Sequence, residues 1–152
     1  MLLESLRSTD SALSRLLLDG GIRRVVLDSV THFTRLTNDG IELRAVYNTL
    51  INALKREQVT TLLVGEESRF ENQRFEQGKL SYIVDAIVLL RYVEIDSAIQ
   101  RAMVVIKMRG SDHVKEIRRY EIRKDGVAVT GVFEGREGIL SGISHRITAG
   151  TK

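Results

Sequence analysis

The chain has 152 residues, 43% of them hydrophobic and 28% charged, which is enough apolar material for one ordinary globular core and excludes a disordered chain. Its formal net charge is only +3 although the sequence pI is near 9.4, a mild bias toward anionic partners that does not mark a nucleic-acid binder. The absence of cysteine excludes disulfides and thiolate metal sites and agrees with a reducing, cytoplasmic setting. No apolar run approaches the roughly 20 residues of a membrane span, and Glu4, Arg7 and Asp10 interrupt anything like a signal sequence.

Taken in order, Leu2, Leu3, Leu6, Leu13, Leu16 and Leu17 recur at helical spacing, so residues 2–18 are expected to form one helix or two short ones. Gly20-Gly21 should end it. Val25, Val26 and Leu27 then form an uninterrupted apolar run of the kind found in a strand covered on both faces. The run stops on Asp28, followed by Ser29 and Thr31. Asp39 is placed to cap the next helix, with Glu42 three residues on to complete a capping box. Leu43, Val46, Tyr47, Leu50, Ile51 and Leu54 make one apolar stripe along that helix. TTLLVGEE, Thr60 to Glu67, should carry a second strand. Strand, helix and strand of this length form a parallel crossover, which puts Asp28 and Glu66 at the carboxyl-terminal sheet edge where open α/β sheets bind ligands.

The polar stretch from Glu66 to Ser81, with Phe70 and Phe75 as its large apolar members, reads as a loop or short helix over a site. After it the pattern changes to strands: Ala86 to Tyr92, Arg101 to Arg109, Ile117 to Arg123 and Val127 to Val132, with Lys124-Asp125-Gly126 as turn chemistry between the last two. The expected architecture is therefore α/β, a parallel crossover followed by an antiparallel extension.

Three features bear on chemistry. A hydrophobic strand ending in Asp28 suits a carboxylate that holds a magnesium-bound water beside nucleotide phosphates; it equally suits a loop or helix cap. Lys107 and Arg109 are two residues apart, so they project from one strand face and suit a phosphate; a solvated edge strand kept soluble by its charges gives the same pattern. The basic bias between Arg101 and Lys124 would suit a nucleic-acid backbone, but Arg119, Glu121 and Arg123 alternate as on any half-exposed strand, and the aromatic interleaving of single-strand binders is missing.

In order and spacing, RVVLDSVT, the amphipathic helix, TTLLVGEE, DAIVLLRY, VVIKMRGSDH and FEGREGILSG resemble the second half of a KaiC-like ATPase domain of the RecA superfamily. The most specific parts are LDSVT at 27–31 and KMRGSDH at 107–113. The resemblance implies a single domain over 1–152, the carboxyl-terminal half of such an ATPase domain, with the crossover in 1–80 and the antiparallel strands in 81–152. It implies ATP and Mg2+ as cofactors. Asp28 then falls at the Walker B aspartate that serves the metal, accompanied by Ser29 and Thr31. Glu66 falls where such ATPases sense the nucleotide or place the attacking water. Lys107, Arg109 and His113, with Ser111 among them, match residues that reach across a subunit boundary to a neighbour's nucleotide in assembled rings. A homo-oligomer, or the amino-terminal half of the same domain, is the expected partner.

The departures are as specific as the matches. The 152 residues contain no P-loop, G-x-x-x-x-G-K-S/T; Gly78-Lys79 has Gln73 at the required glycine and Leu80 after the lysine. The paired glutamates that follow the P-loop in the family are also missing, and Glu66-Glu67 is a pair in a different place. A chain of this kind is expected to be inactive alone and to leave a gap in its sheet where the P-loop strand belongs. Two further readings stand beside it: a non-catalytic oligomerisation or signalling module, and a recombinase-related binder of single-stranded DNA.

Overall fold

A computed structural model describes residues 12–35, 37, 39–66, 80–141 and 145–146. Residues 2–11 of the helical stretch expected over 2–18, and residues 67–79 of the loop or short helix expected over 66–81, lie outside the described residues. The chain divides into two compact units, 1–84 and 85–152.

The first unit is the crossover. Helix α1 (Ala12–Asp19) ends where Gly20 N donates to the Leu16 carbonyl and Ile22 N to the Leu17 carbonyl; Gly21, at φ +59°, takes the left-handed turn that a side chain would oppose. Strand β1 (Arg24–Asp28) runs into a 3-10 turn (Val30–Arg35). Helix α2 (Gly40–Arg56) follows, and strand β2 (Thr60–Val64) pairs with β1 in parallel, Arg24 opposite Thr60 through Asp28 opposite Val64.

All six residues of the α2 stripe are buried. Leu50 and Leu54 join Leu17 and Val59 in one cluster, against which Leu13, Ile22, Val25 and Leu27 pack. Leu43 and Tyr47 join Val30 in a second, with Leu27, Phe33 and Leu63 against it. Asp39 caps α2 as expected, accepting from Ile41 N at 2.8 Å. The capping box closes through an intermediary: Asp39 N donates to Thr37 Oγ1, and Thr37 Oγ1 donates to Glu42 at 2.6 Å.

The apolar run in β1 differs from expectation on one face. Val25 and Leu27 turn toward the helices, whereas Val26 is 62% exposed and its register partner Leu62 is 60% exposed. The two-stranded sheet is covered on one side only within the described residues. Parallel sheets are normally covered on both.

The second unit is a four-stranded antiparallel sheet in the order β3 (Ala86–Ile95), β4 (Ala98–Met108), β5 (Arg118–Arg123), β6 (Gly126–Val132). The β3–β4 hairpin turns at Asp96-Ser97, both at positive φ, the backbone a two-residue turn demands. Val93, Ile95, Ala102, Phe133 and Ile139 form its core. Beyond the main sheet, the short strands β7 (Arg136–Glu137) and β8 (His145–Arg146) pair antiparallel, and Arg136 ion-pairs with Asp96 in the hairpin turn.

Candidate functional site

The carboxyl-terminal edge of the parallel pair carries an open concavity of about 280 Å³, lined by Asp28, Ser29, Thr31, His32, Thr34, Arg35 and Glu66. It exists because β1 and β2 end in register: Asp28 is opposite Val64, and Glu66 lies two residues past that last pair. The crossover thus brings together four residues expected from sequence to act at one site, Asp28, Ser29, Thr31 and Glu66. Both carboxylates are exposed. The Asp28–Ser29 peptide bond is cis.

The turn after β1 is held from three sides. Val30 is 2% exposed, and its carbonyl accepts from the Tyr47 hydroxyl at 3.0 Å, so the third residue of the α2 stripe fastens the turn to the helix. Phe33 meets the Tyr47 ring edge-on, centroids 5.7 Å apart. Within the turn, Thr34 Oγ1 donates to the Thr31 carbonyl at 2.6 Å. From the far strand, Glu66 N donates to Thr31 Oγ1 at 3.1 Å.

Lys107, Arg109, Ser111 and His113 form a second group, in the second unit. Lys107 is opposite Ile87 in β4. Arg109, just past the strand, continues the pairing by donating its N–H to the Asp85 carbonyl at 2.8 Å. The Arg109 guanidinium also ion-pairs with the Asp85 carboxylate at 3.2 Å, both side chains more than half exposed. Gly110, at φ +78°, turns the chain directly afterwards. His113 is half-buried, and its N–H donates to Asp112 Oδ1.

Three residues lining the concavity, His32, Thr34 and Arg35, escaped the sequence reading, as did Asp85 beside Arg109. The first three follow from the turn being 3-10, which projects successive residues around a tight axis. Asp85 carried no local signal; its partner is 24 positions away.

The basic bias of the third feature is largely accounted for locally. Arg118 pairs with Glu116 and Arg123 with Glu121; Arg101 stacks on Tyr92 and Arg119 on Phe133, at 5.6 and 5.1 Å. These cations are engaged within their own sheet.

The oxygen-rich wall of the concavity suits a hard cation such as magnesium. Among the described residues no group of three or more His, Asp or Glu side chains is placed to hold a metal ion. No described helix is long and apolar enough to cross a membrane.

Residues 3–132 match the family model described as the KaiC ATPase. The circadian clock oscillator protein KaiC of Thermostichus vulcanus is 35% identical over 133 residues, covering 85% of this chain and 25% of that protein. KaiC of Rippkaea orientalis is 34% identical over 131 residues, with the same coverage. The chain thus spans about a quarter of the length of these relatives. Among solved structures, a KaiC-like protein from the hyperthermophilic archaeon Pyrococcus horikoshii shares the fold with a TM-score of 0.66 at 24% identity, over 78% of this chain and 51% of that one.

Proposed function

We propose that this chain, which belongs to the KaiC ATPase family of the RecA superfamily, supplies the Walker B half of an ATP-hydrolysing site and acts only when a P-loop is supplied by another segment or chain. The observation that carries this reading is the meeting of Asp28, Ser29, Thr31 and Glu66 around one concavity at the carboxyl-terminal edge of a parallel pair. The bare apolar face at Val26 and Leu62 supports it, because a parallel pair of this kind is completed by a further layer.

In this reading Asp28 would serve to hold the magnesium ion, and Ser29 and Thr31 contribute hydroxyls to the wall beside it. Bound magnesium neutralises charge on the phosphates. Glu66, across the concavity, orients the attacking water and accepts its proton as the γ-phosphoryl group leaves ADP. Lys107 and Arg109, with Ser111 and His113 on the following turn, serve a neighbour's nucleotide in a homo-oligomer, delivering positive charge to the γ-phosphate. Arg109 must then exchange the Asp85 carboxylate for phosphate. Both are exposed, so breaking this ion pair costs little.

The test is binding of a fluorescent ATP analogue with magnesium, to this chain alone and mixed with the P-loop half of a KaiC-like ATPase domain. Magnesium-dependent binding in the mixture only, lost on Lys→Ala substitution in the P-loop, is the expected result. Equal binding by the chain alone would show that phosphates are held here without a P-loop and would move the primary site elsewhere.

A further inference from the structure

The geometry points to Thr31 as a positioning residue that fixes Glu66 relative to Asp28, acting through the Glu66 backbone instead of touching nucleotide; this rests on the ATPase reading above. Strand pairing ends with Asp28 opposite Val64. Beyond that point the amide of Glu66 has left the ladder, and the Thr31 hydroxyl takes the place of the missing strand partner, accepting from it at 3.1 Å across 35 residues of sequence.

The acceptor is itself fixed. The preceding carbonyl, of Val30, is held by the Tyr47 hydroxyl, and the Thr31 carbonyl is held by Thr34. Val30 is buried in the cluster with Leu43 and Tyr47. A β-branched side chain is restricted at χ1, which limits the directions the hydroxyl can take. One turn therefore carries both ends of the site: Asp28 leads directly into it, and Glu66 is fastened to it. Without the bond, Glu66 lies two residues past the last pair of β1 and β2 with no other hydrogen bond to the turn among the described residues, while Asp28 keeps its place in β1.

Thr31→Val keeps the shape and removes the acceptor; Thr31→Ser keeps the acceptor. Amide hydrogen exchange of the 152-residue chain, read residue by residue by NMR, tests the contact without nucleotide. The Glu66 amide should be protected in the wild type, exchange about tenfold faster in Thr31→Val, the loss of one hydrogen bond, and recover in Thr31→Ser. A Glu66 amide that exchanges at the free-peptide rate in the wild type overturns the proposal whatever the variants do. So does equal protection in wild type and Thr31→Val with the α2 amides unchanged. In the mixture with a P-loop half, Thr31→Val should lower kcat with KM for ATP unchanged, and Thr31→Ser should restore it. A raised KM at constant kcat would make Thr31 a nucleotide contact and overturn the positioning role. If Asp28→Asn leaves turnover intact, it is the ATPase reading that fails, and the exchange result still decides the Thr31 contact.

Discussion

Tyr47 shows how much of the site depends on single atoms. Its ring belongs to the core, 1% exposed, and its hydroxyl fastens the Val30 carbonyl. Tyr47→Phe keeps the ring and strands a buried acceptor, so it should cost roughly 1–3 kcal/mol in urea unfolding. Asp39→Ala removes the cap on Ile41 N and should cost about 1 kcal/mol in the same measurement. Arg109 contrasts with both. Because the Asp85–Arg109 pair is exposed, Asp85→Asn should shift stability by less than about 1 kcal/mol. Arg109→Ala should instead depress ATP turnover in the assembled protein, by on the order of a thousandfold if the side chain acts as a finger. Tyr47 was legible from the sequence as a member of the α2 stripe. Its hydroxyl's partner was not, because periodicity assigns a face and says nothing of what the polar tip of a buried ring will meet.

At the scale of elements, the crossover was the most readable part of the chain. The i, i+3, i+4 spacing from Leu43 to Leu54 has one physical solution, a helix with that stripe inward, and every residue of it is buried. Leu54→Ala should accordingly cost about 2–5 kcal/mol. The strands of the second unit were legible from alternation and from Lys124-Asp125-Gly126, although β3 and β4 extend to meet at Asp96-Ser97, a turn without glycine that gave little warning. The apolar run Val25-Val26-Leu27 implies cover on both sides, and the bare face at Val26 and Leu62 among the described residues departs from that because sequence records which residues are apolar and not what is present to cover them. Leu62→Lys places a charge on this face. It should change the stability of the chain alone by no more than about 0.5 kcal/mol and weaken association with a P-loop half, as read by titration calorimetry; undiminished association would take that face out of the assembly.

For the molecule as a whole, composition limited the answer without choosing it. A net charge of +3 excludes little, and the apparent basic bias resolves into ion pairs and aromatic contacts inside one sheet. The family is shown by the match over residues 3–132. The proposed half-site rests on that match set beside the absence of a P-loop in these 152 residues and the face of β1 and β2 that is bare among the described residues. The proposed homo-oligomer and the proposed route of Lys107 and Arg109 to a neighbour's nucleotide both depend on a second chain, so residues close in sequence do not specify them. The most direct test of the half-site is magnesium-dependent ATP turnover by this chain mixed with the P-loop half of a KaiC-like ATPase domain, wild type against Asp28→Asn. Turnover that needs both halves and disappears in Asp28→Asn is the result this account predicts; turnover unchanged by Asp28→Asn would contradict it.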